Sequence, residues 1–138
     1  MNTSPDLAQV GLVLVSHSRR LVEGLAELVG QVAGPGVAIQ TIGGAVDGSL
    51  GTDPDRVLEA LQAAAHEPGA VVLMDLGSSV LAVNAALEDL ADEQRAWLAV
   101  VDAPLVEGAV AAGVLASTGA SLAEVAQAAE EARDARKL

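Results

Sequence analysis

The chain contains no cysteine, no phenylalanine and no tyrosine, and Trp97 is its only aromatic residue. Without cysteine there are no disulfides, no thiolate nucleophile and no zinc–thiolate cluster. Without aromatic bulk the core must be close-packed Ala, Val, Leu and Ile. Cations are scarce as well: seven Lys and Arg stand against nineteen Asp and Glu, a formal charge of −12 over 138 residues. That balance has the wrong sign for neutralising a phosphate backbone, so nucleic acid is not expected as a partner. The apolar stretches are broken by Asp75, Asp102, Glu107 or glycine before reaching the roughly 20 residues of a membrane helix, so no membrane insertion is expected. The opening MNTSPDLAQ has no basic segment leading into an apolar one, hence no visible secretory signal. The expectation is a cytoplasmic protein, and 51% hydrophobic residues suffice for one domain over 1–138.

What is present is a strict alternation. Four continuous apolar runs, VGLVLV (10–15), VAIQTI (37–42), AVVLMD (70–75) and WLAVV (97–101), have the character of strands buried on both faces. Between them lie segments of helical spacing: Leu21, Leu25, Leu28 and Val32; then Val57, Leu58 and Leu61; then Val80, Leu81, Val83, Leu87 and Leu90. Gly and Pro punctuate at GPG (34–36), at the glycine-rich loop over 43–51 and at EPG (67–69). Helices over 105–116 and 122–136 complete the chain, the second with Ser121 and Glu124 spaced as a capping box. Right-handed crossovers between parallel strands then predict an α/β, three-layer, doubly wound domain. Its mainly parallel sheet has about four strands in order 2-1-3-4, with helices on both faces.

In such a sheet the switch point lies between the first and third strands, and chemistry collects at their carboxyl ends. The residues there are SHS (16–18) and DLGSS (75–79). Neighbouring strands run about 4.8 Å apart, so His17 and Asp75 can meet. A carboxylate on one imidazole nitrogen fixes the tautomer and leaves the other nitrogen as a nucleophile or base. Helices starting after both strands aim amides and positive dipole ends at the same crevice, which suits a phosphoryl group. The constellation is closer to a phosphohistidine site than to a hydrolase. Ser16, Ser18, Thr52, Gly77, Ser78 and Ser79 are the candidate phosphate-binding or supporting donors.

Plainer readings stand beside these. His17 could cap or fill space, Asp75 could cap the third helix, and Thr52 and Asp53 read first as caps for the helix starting near Pro54. Arg19 and Arg20 could pair with Glu23 and Glu27, and His66 at a helix end calls for no chemistry. The small residues of GAVAAGVLASTGAS (108–121) suit close helix packing, inside the monomer or between copies. No metal-ligand cluster, no GxxxxGK loop and no GxGxxG after the first strand are present, so neither a metal nor a cofactor is called for. A receiver domain would need acidic residues where SHS stands.

GLVLVSHS, GTD, VLMDLGSS and APLVEG, in this order and spacing, resemble the enzyme IIA domain of the mannose class of the bacterial phosphoenolpyruvate-dependent phosphotransferase system. The likeness spans about residues 10–120, and its wording favours the branch that serves dihydroxyacetone kinase. It implies that His17 is phosphorylated on the nitrogen remote from Asp75 and that Asp75 orients the ring. It also implies a homodimer, the phosphocarrier HPr as donor, and ADP on the nucleotide-binding subunit of dihydroxyacetone kinase as acceptor. The alternatives are a IIA component of a mannose-class sugar transporter and a non-catalytic anion-binding module. Some members carry HPr-like and enzyme I-like domains after this one, whereas this sequence stops at EARDARKL. A separate donor protein, or a longer parent chain, is therefore expected.

Overall fold

A computed structural model describes residues 8–138; residues 1–7, which make up most of MNTSPDLAQ, lie outside it. The elements run β1 (Gly11–Ser16), α1 (Arg19–Ala33), β2 (Ile39–Gly43), α2 (Pro54–Ala64), β3 (Ala70–Met74), α3 (Gly77–Glu88), α4 (Asp92–Arg95), β4 (Leu98–Val100), α5 (Leu105–Ala116) and α6 (Leu122–Glu131). A 3₁₀ turn over Ala132–Asp134 follows α6. All strand pairs are parallel, in the order β2-β1-β3-β4. The expected architecture and strand order are thus what is observed.

The continuous apolar strands are explained by two cores, one on each face. Leu12 and Leu14 of β1 and Val71 and Leu73 of β3 face a layer of α1, α5 and α6. The intervening Val13, Val15 and Val72 face α2 and α3. Each such side chain contributes about 1.5–3 kcal/mol by leaving water.

The phase of α1 departs from expectation. The buried stripe is Val22, Leu25, Val29 and Ala33, while Leu21, Leu28 and Val32 are about half exposed. Two apolar stripes run along this helix, and packing against α5 selects between them. A Cβ on Gly113 of α5 would stand 2.6 Å from Val29 Cγ1, so the glycine admits the closer stripe. Ala109, Ala112, Gly113 and Ala116 are all buried, so the small residues on this face of α5 serve packing within the chain. In α3, similarly, Val83 is buried while Val80 and Leu81 are exposed. Helix α4 was not expected: it is a single turn without apolar periodicity. Its Arg95 donates to the carbonyls of Leu87 and Leu90 and closes the end of α3. The capping box at Ser121 and Glu124 forms as expected, but α6 proper ends at Glu131 rather than 136.

Candidate functional site

Because β1 and β3 are hydrogen-bonded neighbours in register through Val15 and Met74, the residues leaving their carboxyl ends emerge side by side. His17 Nδ1 lies 3.0 Å from Asp75 Oδ1. Asp75 accepts far more than this one bond. Oδ1 also accepts from Ser79 Oγ at 2.8 Å and the Leu76 amide at 2.6 Å, and Oδ2 accepts from Ser16 Oγ at 2.7 Å and the His17 amide at 3.0 Å. Burial of the carboxyl opposes its charge, but bonds from the His17 amide, the Ser16 and Ser79 hydroxyls and the His17 ring outweigh it. They hold Asp75 well below the ordinary carboxylate range.

An ionised Asp75 has no proton to give, so the hydrogen in its contact with His17 sits on Nδ1. Nε2 is then left with the lone pair. The His17 side chain is 22% exposed, and the hydroxyl of the exposed Ser78 lies against Nε2. In the first turn of α3 the amides of Gly77 and Ser78 have no intrahelical acceptor and carry the positive end of the helix dipole. Nucleophile, hydroxyl and amides therefore share one opening.

The serines divide into two sets that sequence did not separate. Ser16 and Ser79 are fully buried, so Ser16 and Ser79 are not solvent-facing donors to an incoming group: their hydroxyls are spent on Asp75. Ser16 Oγ also accepts from the Ser18 amide at 3.0 Å. Ser18 caps α1 by accepting from the Leu21 amide. Thr52 Oγ1 is 3.4 Å from Ser79 Oγ, and since the Ser79 proton is directed at Asp75, Thr52 is the donor. It supports the carboxylate through Ser79. Asp53 caps α2, with Pro54 in the first turn. Asp75 is no side-chain cap for α3 in the usual position, since Leu76 occupies the cap.

One contributor was missed. The Gly51 amide donates to the His17 carbonyl at 2.9 Å and so ties the glycine-rich loop to the strand end. Its φ of 149° suits glycine, a signal already present in GTD. Arg19 and Arg20 form no ion pair with Glu23 or Glu27, contrary to the pairing considered for them. His66, just beyond α2, is exposed and remote from the site.

An open groove lined by Met74, Asp75, Val80, Val100 and Asp102 runs beside the pair along the ends of β3 and β4. A separate concavity near Gln9, Gln40 and His66 lies at the opposite end of the sheet. Among the described residues no three His, Asp or Glu side chains converge as a metal-ligand group, and no helix is long and apolar enough to cross a membrane.

A family model described as "PTS system fructose IIA component" matches residues 11–126. The phosphoryl donor subunit DhaM of the PEP-dependent dihydroxyacetone kinase of Escherichia coli K12 is 40% identical over 131 residues. That alignment covers 93% of this chain and 28% of the relative, so the chain spans less than a third of that protein's length. A DhaM from Listeria innocua, the phosphoryl donor subunit of PEP-dependent dihydroxyacetone kinase 2, is 37% identical over 105 residues. It is matched over 84% of its own length and 76% of this chain. A crystal structure of a protein of unknown function superposes with a TM-score of 0.80 at 33% identity, covering 88% of this chain and 93% of that one.

Proposed function

This chain belongs to the family of fructose IIA components of the phosphotransferase system, and on that premise we propose that it is a phosphohistidine carrier with His17 as the phosphorylated residue. The observation that carries the reading is the His17–Asp75 contact: Nδ1 stands 3.0 Å from a carboxylate that accepts four further hydrogen bonds, which assigns the proton to Nδ1 and leaves Nε2 the lone pair. The donor is the phosphocarrier HPr. The lone pair of Nε2 forms the new P–N bond as the donor's P–N bond breaks in line, and the donor imidazole departs with its electron pair. The Nδ1 proton stays on His17, where Asp75 offsets the charge of the phosphorylated ring. Ser78 and the amides of Gly77 and Ser78 contact the phosphoryl oxygens, while Ser16, Ser79 and Thr52 hold Asp75.

The acceptor is ADP held on the nucleotide-binding subunit of dihydroxyacetone kinase; the DhaM relatives are named as phosphoryl donor subunits of such a kinase. An oxygen of the diphosphate attacks phosphorus, and His17 leaves as a neutral imidazole. The experiment is a reconstitution. With phosphoenolpyruvate, enzyme I and HPr the chain takes up acid-labile, base-stable phosphate, and adding the kinase subunits with ADP and dihydroxyacetone discharges it into triose phosphate. Label without discharge indicates a sugar-transport IIA component. Anion binding without label indicates a non-catalytic module and ends the carrier reading.

A further inference from the structure

The carboxyl end of the sheet is electrostatically unlike the rest of the chain. Seven cations serve a molecule of net charge −12, and three of them, Arg19, Arg20 and Arg56, stand in the first turns of α1 and α2. The first turn of a helix is the wrong place for a cation, because the dipole already makes it positive. Helix α1 has no acidic residue there to compensate. Nor do these arginines find carboxylates elsewhere: among the described residues none lies within 4.0 Å of an Asp or Glu oxygen.

The acidic side chains at the same end are mostly engaged. Asp47 accepts from the Ser49 amide and hydroxyl, and Asp53 accepts from the Asp55 amide. Asp102 lies 3.8 Å from Arg133, and Glu107 pairs with Lys137 at 2.7 Å. These cations stand unpaired in an acidic protein, at helix starts where the dipole disfavours them.

Their position gives them a use. Arg19 and Arg20 follow His17 by two and three residues, and side chains on a helix lean toward its N-terminus, here the end that carries His17. The glycine pair Gly43–Gly44 lets Arg19 start its helix close beside the end of β2, since a Cβ on Gly43 would stand 2.8 Å from Arg19 Cα, and Arg20 follows it. A phosphoryl group entering this end brings negative charge to a protein whose overall field repels it.

Resting on the carrier reading above, we infer that Arg19 and Arg20 are the cations that neutralise the phosphoryl group as it arrives at and departs from His17. Both side chains are exposed, and neither forms an ion pair among the described residues.

The test is the double variant Arg19→Gln/Arg20→Gln beside Arg19→Lys/Arg20→Lys, with single-turnover labelling from phosphorylated HPr across a range of salt concentrations. The Gln pair still labels to completion at His17, but about 10- to 100-fold more slowly at low salt and with a flattened salt response. Its Tm equals or exceeds that of the wild type, because two cations have left the positive end of α1. The Lys pair recovers most of the rate. Wild-type rate and salt response in the Gln pair would overturn the inference and leave the carrier reading standing. So would a slowed Gln pair with a lowered Tm, which marks a structural role. Wild type that takes no label would overturn both.

Discussion

Asp75 ties folding and chemistry together, because the bonds that make it an orienting anion exist only in the folded chain. The sign of its pH dependence follows. Its folded pKa lies below the unfolded value of about 3.9, so its contribution to stability is complete above that value. The contribution is lost as pH falls from about 4 toward the folded value. Asp75→Asn removes the charge, leaves Ser16 and Ser79 with a poorer acceptor, and should cost about 1.5–3 kcal/mol near neutral pH. Denaturant titrations from pH 7 down to 3 check this: the gap between variant and wild type narrows below pH 4. Loss of the tautomer lock should also slow labelling at His17 by about 10- to 100-fold. The pairing of His17 with Asp75 was legible in sequence because strand order alone brings two strand ends together. The direction of each hydroxyl was not. Ser16, Ser78 and Ser79 are the same residue type within a few positions of the pair, and only the pleat of β1 and the rotation of α3 separate the buried two from the exposed one.

At the scale of elements, the site depends on how closely α1 can begin beside the end of β2. A methyl group on Gly43 would meet Val22 Cγ1 at 2.7 Å and both Arg19 Cα and the Ser18 carbonyl at 2.8 Å. Two of these are backbone atoms of the turn that carries His17. Gly43→Ala should therefore cost about 1–3 kcal/mol and shift the His17 loop. Thermal melts read the first effect and the labelling rate the second. Strand positions and helix alternation were readable because a two-faced core demands continuous apolar runs, whereas the phase of α1 was not. Its stripes Leu21–Leu28–Val32 and Val22–Val29–Ala33 are equally apolar in sequence, and only the approach of Gly113 on α5 decides between them. The single turn α4 left no periodic trace, since its task is to present Arg95 to the end of α3.

At the scale of the whole molecule, the surface is acidic, with exposed apolar residues at the His17 end: Leu76, Leu81, Val46 and Leu50. Ala109, Ala112, Gly113 and Ala116 of α5 are already buried within the chain, so they are not free to form the homodimer implied by the family likeness. Sedimentation at micromolar concentration should give twice the monomer mass, and a monomer alone at that concentration would remove the dimer from the account. After incubation with phosphoenolpyruvate, enzyme I and HPr, the protein is digested at alkaline pH, where phosphohistidine survives, and its peptides are mapped by mass spectrometry. One phosphoryl group is expected on the peptide containing His17 and none on any peptide of His17→Ala; phosphate persisting in His17→Ala would contradict His17 as the carrier residue.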